Sequence, residues 1–275
     1  MTSAIDSYYE KALSVVKEAG KVIKNEQYNK TKAVDRKSCD IDLVTETDKA
    51  IEDLLIKTLS KEYPDHKFIG EESVADGKKV ELTEAPTWII DPIDGTLNFV
   101  HEFPHSCISL ALFINKEPSI GIIYNPSLEQ LFTAQKGKGA FYNGNKIEVS
   151  KQCDLKKALI MYELGTSRDH SKIDNVKKNF ETLIGIVHGM RSTGSAALNM
   201  AMVALGGADA YFEFGTHIWD IAAGELIVTE AGGVIMDPSG GTIDRFSRRM
   251  LVASSKSLGD QLSANLTQFY PEPVD

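Results

Sequence analysis

Cysteine is scarce in this chain. Cys39, Cys107 and Cys153 are odd in number and widely spaced among 275 residues, which argues against a disulfide framework. No C-x-x-C pair occurs, so neither a thiolate zinc site nor a redox pair is suggested. A reducing compartment is the simplest reading. Positive charge is also short. Thirty Lys and Arg against 39 Asp and Glu leave a net charge of −9. Nucleic acid and anionic membrane surfaces both require a basic face, so neither is expected as a partner. A small phosphate ester stays compatible, because bound divalent cations would bring their own positive charge. No apolar run approaches the ~18 residues that span a bilayer. The N-terminal stretch carries Asp6 and Glu10 and no apolar core of signal-peptide type. The expectation is a soluble, cytoplasmic protein. Repeats and low-complexity tracts are missing, and no Pro/Ser-rich linker divides the chain. Residues 1–275 therefore read as one unit with subdomains at about 1–150 and 151–275.

What is present is an ordinary globular composition, 42% hydrophobic and 25% charged, enough for a substantial core. Tyr8, Ala12, Val15, Val16, Ala19, Val22 and Ile23 fall at three-and-four spacing and predict a helix over Ile5–Asn25, with Ser3 as its cap. Lys30 to Asp42, which contains Lys37, is polar and unperiodic, a loop or loose hairpin. A second helix carries Ile51, Leu54, Leu55 and Leu59, capped by Thr47 or Asp48 and ended by Tyr63-Pro64. Short apolar runs at Phe68-Ile69 and Trp88–Ile90 read as strands. Ser106–Ile114, Ser119–Tyr124 and Leu131–Gln135 follow as further strands, with turns at Asn125-Pro126 and Lys136–Gly144. That succession implies an antiparallel sheet. After about Ser150 the elements alternate: strand Ala158–Tyr162, helix Ile173–Ile184, helix Ala196–Leu205, strand Ala210–Phe214, helix Trp219–Ala231, strands Val234–Met236 and Leu251–Ala253, and a last helix Lys256–Phe269. The class is α/β, in layers of helices and mixed or antiparallel sheets.

The chemistry concentrates after Trp88-Ile89-Ile90, where the apolar run meets Asp91 and then Pro92, which cannot extend a ladder. Within six residues the chain offers Asp91, Asp94, the Thr96 hydroxyl and carbonyls in a loop broken by Gly95. Hard oxygen donors at that density suit Mg²⁺. An Asp-Gly turn alone would explain Asp94 and Gly95, but not the second acid beside it. Glu71 closes another apolar run, and Asp220 stands at a helix start where an N-cap belongs. Glu213 ends the strand of Tyr211 and Phe212. Gly194-Ser195-Ala196 opens a helix whose amides either hold an anion or form a plain cap.

Together these motifs resemble the inositol monophosphatases, in the lithium-sensitive, metal-dependent phosphatase group. The resemblance rests on Gly70-Glu71-Glu72-Ser73, on Trp88 through Thr96 with Asn98-Phe99, and on Trp219-Asp220 with Glu230-Ala231-Gly232-Gly233. Gly206–Ala210 and Lys136–Ala140 extend it over nearly the whole chain. Leu97 departs from it, since the family often has a hydroxyl residue there. The resemblance implies the sugar-phosphatase fold shared with fructose bisphosphatases and a Mg²⁺-dependent hydrolysis of inositol monophosphates. It implies that Glu71, Asp91 and the Ile93 carbonyl ligate one Mg²⁺, that Asp91, Asp94 and Asp220 ligate a second, and that a third, weaker ion shares Glu71. Two ions about 3.5–4 Å apart would clamp the attacking and leaving oxygens of an in-line displacement. Water is the implied nucleophile, activated by metal near Glu71 and oriented and deprotonated by Thr96 with Asp48. The Gly95 and Thr96 amides would hold phosphate oxygens. Glu213 and the Gly194–Ala196 turn would grip ring hydroxyls, and Lys37 would steady the water shell. Inhibition by Li⁺ and a homodimer are implied as well.

Three other readings compete. A phosphatase forming an aspartyl-phosphate needs an acid two residues before Asp94, where Pro92 stands. A phosphatase of the same fold for sugar bisphosphates, histidinol phosphate or phosphoadenosine nucleotides would share the metal site and differ only on the substrate side. A catalytically silent scaffold is disfavoured because all the metal-binding acids are present.

Overall fold

The computed structural model describes residues 4–28, 34–36 and 43–272; Ser3 and Lys37 lie outside them. Helix α1 spans Ala4–Glu26 and buries Ala12, Val15, Val16, Ala19 and Ile23 of the face expected from spacing, with Tyr8 half-buried, while Val22, expected on the same face, is exposed. Strands β1 (Val34–Arg36) and β2 (Leu43–Thr45) pair antiparallel, so of loop and hairpin the chain takes the hairpin. Helix α2 is Glu46–Glu62. Its cap is Thr45 rather than Thr47 or Asp48, and Asp48 is the third helical residue, closing a capping box back to Thr45.

Strand β3 (Lys67–Gly70), the short helix α3 (Glu71–Ala75), strand β4 (Thr87–Asp94) and the short helix α4 (Thr96–Val100) come next. Strands β5 (Cys107–Ile114), β6 (Glu117–Asn125), β7 (Gln130–Gln135), β8 (Gly139–Tyr142) and β9 (Asn145–Ile147) complete a seven-stranded sheet in sequential order. Only β3 and β4 pair parallel; the remaining neighbours are antiparallel. The second half supplies β10 (Leu159–Tyr162), α5 (His170–Ile184), β11 (Gly189–Arg191), α6 (Ala196–Ala204), β12 (Ala210–Phe214), α7 (Ile218–Glu230), β13 (Val234–Met236), β14 (Arg249–Ala253) and α8 (Lys256–Asn265). Its five strands lie in the order β11-β10-β12-β14-β13, with β10 parallel to both neighbours and β14 antiparallel to both of its own.

The layers follow from side-chain alternation along the strands. Trp88 and Ile90 turn to one side of the first sheet, where they pack with Val16 of α1 and Leu55 of α2. Ile89 turns to the other side, towards Met200 of α6 and Ile227 of α7. Helices cover both faces, which is why these strands are apolar throughout instead of alternating. The second sheet shares α6 and α7 through Tyr211 and Val252, and buries Ile160, Phe212 and Leu251 against Leu183 of α5 and Leu258 of α8. Helices α6 and α7 are thus enclosed between two sheets, and α7 is buried on all sides from Ile218 to Val228. Gly121 of β6 permits the closest approach: a Cβ there would stand 2.6 Å from the Ala223 carbonyl of α7. Gly121→Ala is expected to cost about 2 kcal/mol, read as a lower urea midpoint.

Four expectations are corrected. Strand β4 does not stop before Pro92; it runs on to Asp94 through a register shift between Asp91 and Asp94, where the missing proline N–H breaks no regular pair. The stretch 136–144 is not all turn but contains β8, which opens on Gly139 and lies between Gly137 and Gly144, all three glycines at positive φ. The last helix ends at Asn265, because Asn175 and Asn179 of α5 donate to the Thr267 carbonyl at 2.7 and 3.0 Å and Asn179 accepts the Thr267 N–H at 2.7 Å. Asp220 is not an N-cap: α7 starts at Ile218, and Asp220 accepts the His217 N–H at 2.7 Å from the third position.

Candidate active site

Strand β3 ends at Gly70, which pairs with Ile90 in the middle of β4, so Glu71, the next residue of one strand, and Asp91, the next of the other, emerge side by side. Glu52 of α2 accepts the Glu72 and Ser73 N–H groups at 2.7 and 2.9 Å and holds the start of α3 in place. Gly70 leaves room for that carboxylate, into which a Cβ would run. Just before the register shift Asp91 pairs with Ser109, whose hydroxyl donates to the Trp219 carbonyl at 3.1 Å. That bond brings the start of α7, and Asp220 with it, to the end of β4.

Asp91 is 2% exposed and Asp94 8%. Burial, then the charges of Glu71, Asp94 and Asp220, push the Asp91 carboxyl well above its ordinary range, and Glu71 shares a hydrogen bond with it. Asp94 is raised to about 6, chiefly by burial, which outweighs its hydrogen bonds to Ser195, Ala197 and Ala196. Asp220 is pushed well up by burial and by Asp94 and Glu71. Asp91 therefore feels three other acids. Among the described residues, no three His, Cys, Asp or Glu side chains stand in an arrangement that could hold a metal ion. Asp94 turns both oxygens to the start of α6, accepting from Ser195 Oγ at 2.5 Å, Ala197 N at 2.7 Å and Ala196 N at 3.3 Å. The donor chemistry still fits a divalent cation: hard carboxylate oxygens screened from water, with Asp91 and Asp220 resisting ionisation through burial first and neighbouring acids second.

Thr96 stands beside this group. Its Oγ1 lies 3.1 Å from Asp48 Oδ1 and 3.0 Å from the Ile93 carbonyl, so its single proton rests on one of the two. Asp48 is 1% exposed, and its other oxygen takes the Thr45 N–H at 2.8 Å and the Thr45 hydroxyl. One carboxylate thus fixes the start of α2 and the Thr96 hydroxyl together.

The turns at Gly95 and Gly194 lie back to back, both at positive φ. A Cβ on Gly95 would be 3.0 Å from the Gly194 carbonyl, and one on Gly194 would be 2.8 Å from Asn98 Nδ2. Asn98 ties the seam, donating to His105 O at 2.8 Å and Thr193 O at 2.7 Å. From the second sheet Glu163 holds the same turn. Its Oε1 accepts Thr193 N at 2.7 Å, Gly194 N at 2.8 Å and Asn199 Nδ2 at 2.8 Å, while Oε2 accepts Ser192 Oγ at 2.8 Å. Ser195 then caps α6, accepting Leu198 N at 3.2 Å. Glu213, at the end of β12, accepts the Tyr211 hydroxyl. Its carboxyl is raised to about 7, by burial first and then by Glu163, with Lys172 and Tyr211 pulling it down.

Of the residues expected from sequence, Glu71, Asp91, Asp94 and Asp220 interact electrostatically as one group. Asp48, Ile93 and Thr96 are hydrogen-bonded beside it, and the Gly194–Ala196 turn touches Asp94. Glu213 lies farther off, sensing Asp94 as its weakest influence. Lys37 lies outside the described residues. Sequence reasoning passed over Glu163 and Glu52, and counted Asn98 among the residues of the resemblance without giving it a role. Glu163 follows the apolar run Leu159–Tyr162 much as Asp91 follows Ile90, so its signal was of a kind already in use.

The whole chain was compared with known proteins. The sequence model of the inositol monophosphatase family matches residues 5–270. Human inositol monophosphatase 1 is 48% identical over 256 residues, 93% of this chain and 92% of that protein. The solved inositol monophosphatase of Anabaena superposes with a TM-score of 0.83 at 31% identity, covering 96% of each chain. Structures of a Staphylococcus aureus inositol monophosphatase superpose at 27% identity over 94% of this chain and 93% of that one, with TM-scores of 0.78 with inositol monophosphate bound and 0.79 with 2'AMP bound.

Proposed function

The chain belongs to the inositol monophosphatase family, and from that premise we propose that it cleaves inositol monophosphates with a water oriented and deprotonated by Thr96 and Asp48 beside a Mg²⁺ site. It is an inositol-phosphate phosphatase, a phosphoric monoester hydrolase, of a metal-dependent family. The observation that carries the finer reading is Asp91, buried with three further acids converging on it.

Glu71, Asp91 and the Ile93 carbonyl would hold one Mg²⁺, and Asp91, Asp94 and Asp220 a second, with a third ion sharing Glu71. When bound, the cations supply charge to the phosphoryl and leaving oxygens and lower the pKa of water. The chain's own groups do the rest. Thr96 Oγ1 accepts a proton from water as its own proton passes to Asp48 Oδ1, 3.1 Å away. The Gly95 and Thr96 amides take phosphate oxygens. Glu213 accepts hydrogen bonds from ring hydroxyls, and the Ala196 amide donates to one by leaving Asp94 Oδ1, its long 3.3 Å partner, the turn from Gly194 through Ser195 being set by Glu163. A cytoplasmic homodimer completes the reading. Among the described residues no helix is long and apolar enough to cross a membrane.

Phosphate release from inositol 1-phosphate, fructose 1,6-bisphosphate, histidinol phosphate and 2'-AMP tests the substrate. The expected order places inositol 1-phosphate first in kcat/KM, with all release stopped by chelation and reduced by Li⁺. A bisphosphate hydrolysed best would overturn the reading. Glu163→Ala, which strands two backbone N–H donors of the turn and the Asn199 side-chain amide, is expected to lower kcat/KM about a hundredfold. Glu163→Gln keeps an acceptor there and is expected to lose much less, by steady-state kinetics.

A further inference from the structure

Lys172 is 3% exposed, and a buried ammonium needs compensation. Asp169 caps the first turn of α5, accepting Ser171 N at 2.8 Å and Lys172 N at 3.3 Å, so the Lys172 stem is held across the end of β12. Its Nζ donates to the Phe214 carbonyl, the residue after Glu213. It lies 5.7 and 5.6 Å from the ring centres of Phe214 and Phe269. Two glycines leave its flanks bare. A Cβ on Gly165 would stand 3.7 Å from Nζ and 3.6 Å from Glu213 Oε1, and one on Gly215 would stand 3.8 Å from Nζ. Glu213 is the anion facing this cation, and the attraction acts through space. On its other sides Glu213 meets the like charge of Glu163 and the Tyr211 hydroxyl. Arg248 adds a second positive charge near Lys172.

We infer that Lys172 is a specificity-positioning residue: by anchoring the Phe214 carbonyl and facing Glu213 across Gly165, it holds the Glu213 carboxylate ready for a polyol hydroxyl. A charged acceptor binds a hydroxyl more strongly than a neutral one, and Lys172 offsets the repulsion from Glu163. The inference rests on the proposed contact between Glu213 and the ring hydroxyls. A packing role alone would be served equally by an apolar side chain of the same length, because filling the space needs neither the charge nor the donor.

The test compares kcat/KM for inositol 1-phosphate with kcat/KM for 4-nitrophenyl phosphate, which has no ring hydroxyls, in the Mg²⁺-loaded enzyme. Lys172→Met is expected to lower the ratio about tenfold, through KM for inositol 1-phosphate. Lys172→Gln, which can still donate to Phe214 but has no charge, is expected to lower it as well, and covers the case in which the Met variant does not fold. Glu213→Gln runs alongside. A ratio within twofold of wild type in both Lys172 variants, with Glu213→Gln lowering it, would overturn the role of Lys172 and leave that of Glu213. An equal loss on both substrates would also overturn it, as plain structural damage. A ratio unmoved by Glu213→Gln would overturn the polyol contact itself.

Discussion

Asp91→Asn is expected to lower kcat/KM for inositol 1-phosphate by about a thousandfold or more, some 4 kcal/mol of transition-state stabilisation, while the metal-free protein stays folded. The two halves of that expectation have one cause. Asp91 is 2% exposed and pressed by Glu71, Asp94 and Asp220. Asparagine has the same shape and still accepts the Ile93 N–H, now 3.1 Å from Asp91 Oδ1. It removes one charge from a set that repels itself, so the chelated variant is expected to melt no lower than chelated wild type. Mg²⁺ is expected to raise the wild-type midpoint, since binding to the folded state alone stabilises it, and to raise that of the variant far less. Wild-type turnover in Asp91→Asn would remove the acid cluster from the mechanism.

Thr96→Ala is expected to lower kcat by about two to three orders of magnitude with KM nearly unchanged, and Thr96→Ser to recover most of the loss. The hydroxyl, 3.1 Å from Asp48 and 3.0 Å from Ile93 O, acts through its proton, which serine also carries. Asp48→Asn is expected to match it in kcat but to lose stability too, because the same carboxylate closes the capping box of α2. Acting as a unit, the two should be non-additive: the double variant is expected to be about as slow as the worse single one. Multiplying rate losses would instead show that Thr96 and Asp48 work separately.

The legible parts of the fold were those set by local pattern. The three-and-four spacing in α1 and the apolar run in β5 each have one solution, and the structure follows both. The ends of elements depended on distant partners. Helix α8 stops because Asn175 and Asn179, some ninety residues away, take the backbone of Thr267. Thr45 caps α2 because Asp48 turns back to it, which the string Thr45-Glu46-Thr47-Asp48 does not choose among its own members. Strand β4 crosses Pro92 because β5 accepts a register shift there. In the site, Glu71, Asp91, Asp94 and Asp220 could be picked out because carboxylates that close apolar runs, crowd a turn or open a helix match one family when taken together. Glu163 could have been picked out by the same test, but the turn it serves is built from backbone N–H groups, which leave no mark in a sequence. Lys172 is subtler: nothing in His170-Ser171-Lys172 says that this lysine faces inward.

The back-to-back meeting of Gly95 and Gly194 has a bearing on how such an enzyme diversifies. The Gly95 side carries Asp91, Asp94 and Thr96, proposed to break the ester, and the Gly194 side the turn and Glu213, proposed to recognise the alcohol, with Asp220 at the start of α7 as the one proposed metal ligand from the second half. Loops of the second sheet can change across generations to suit a new sugar, while the hydrolytic half is inherited intact, provided both glycines survive at the join.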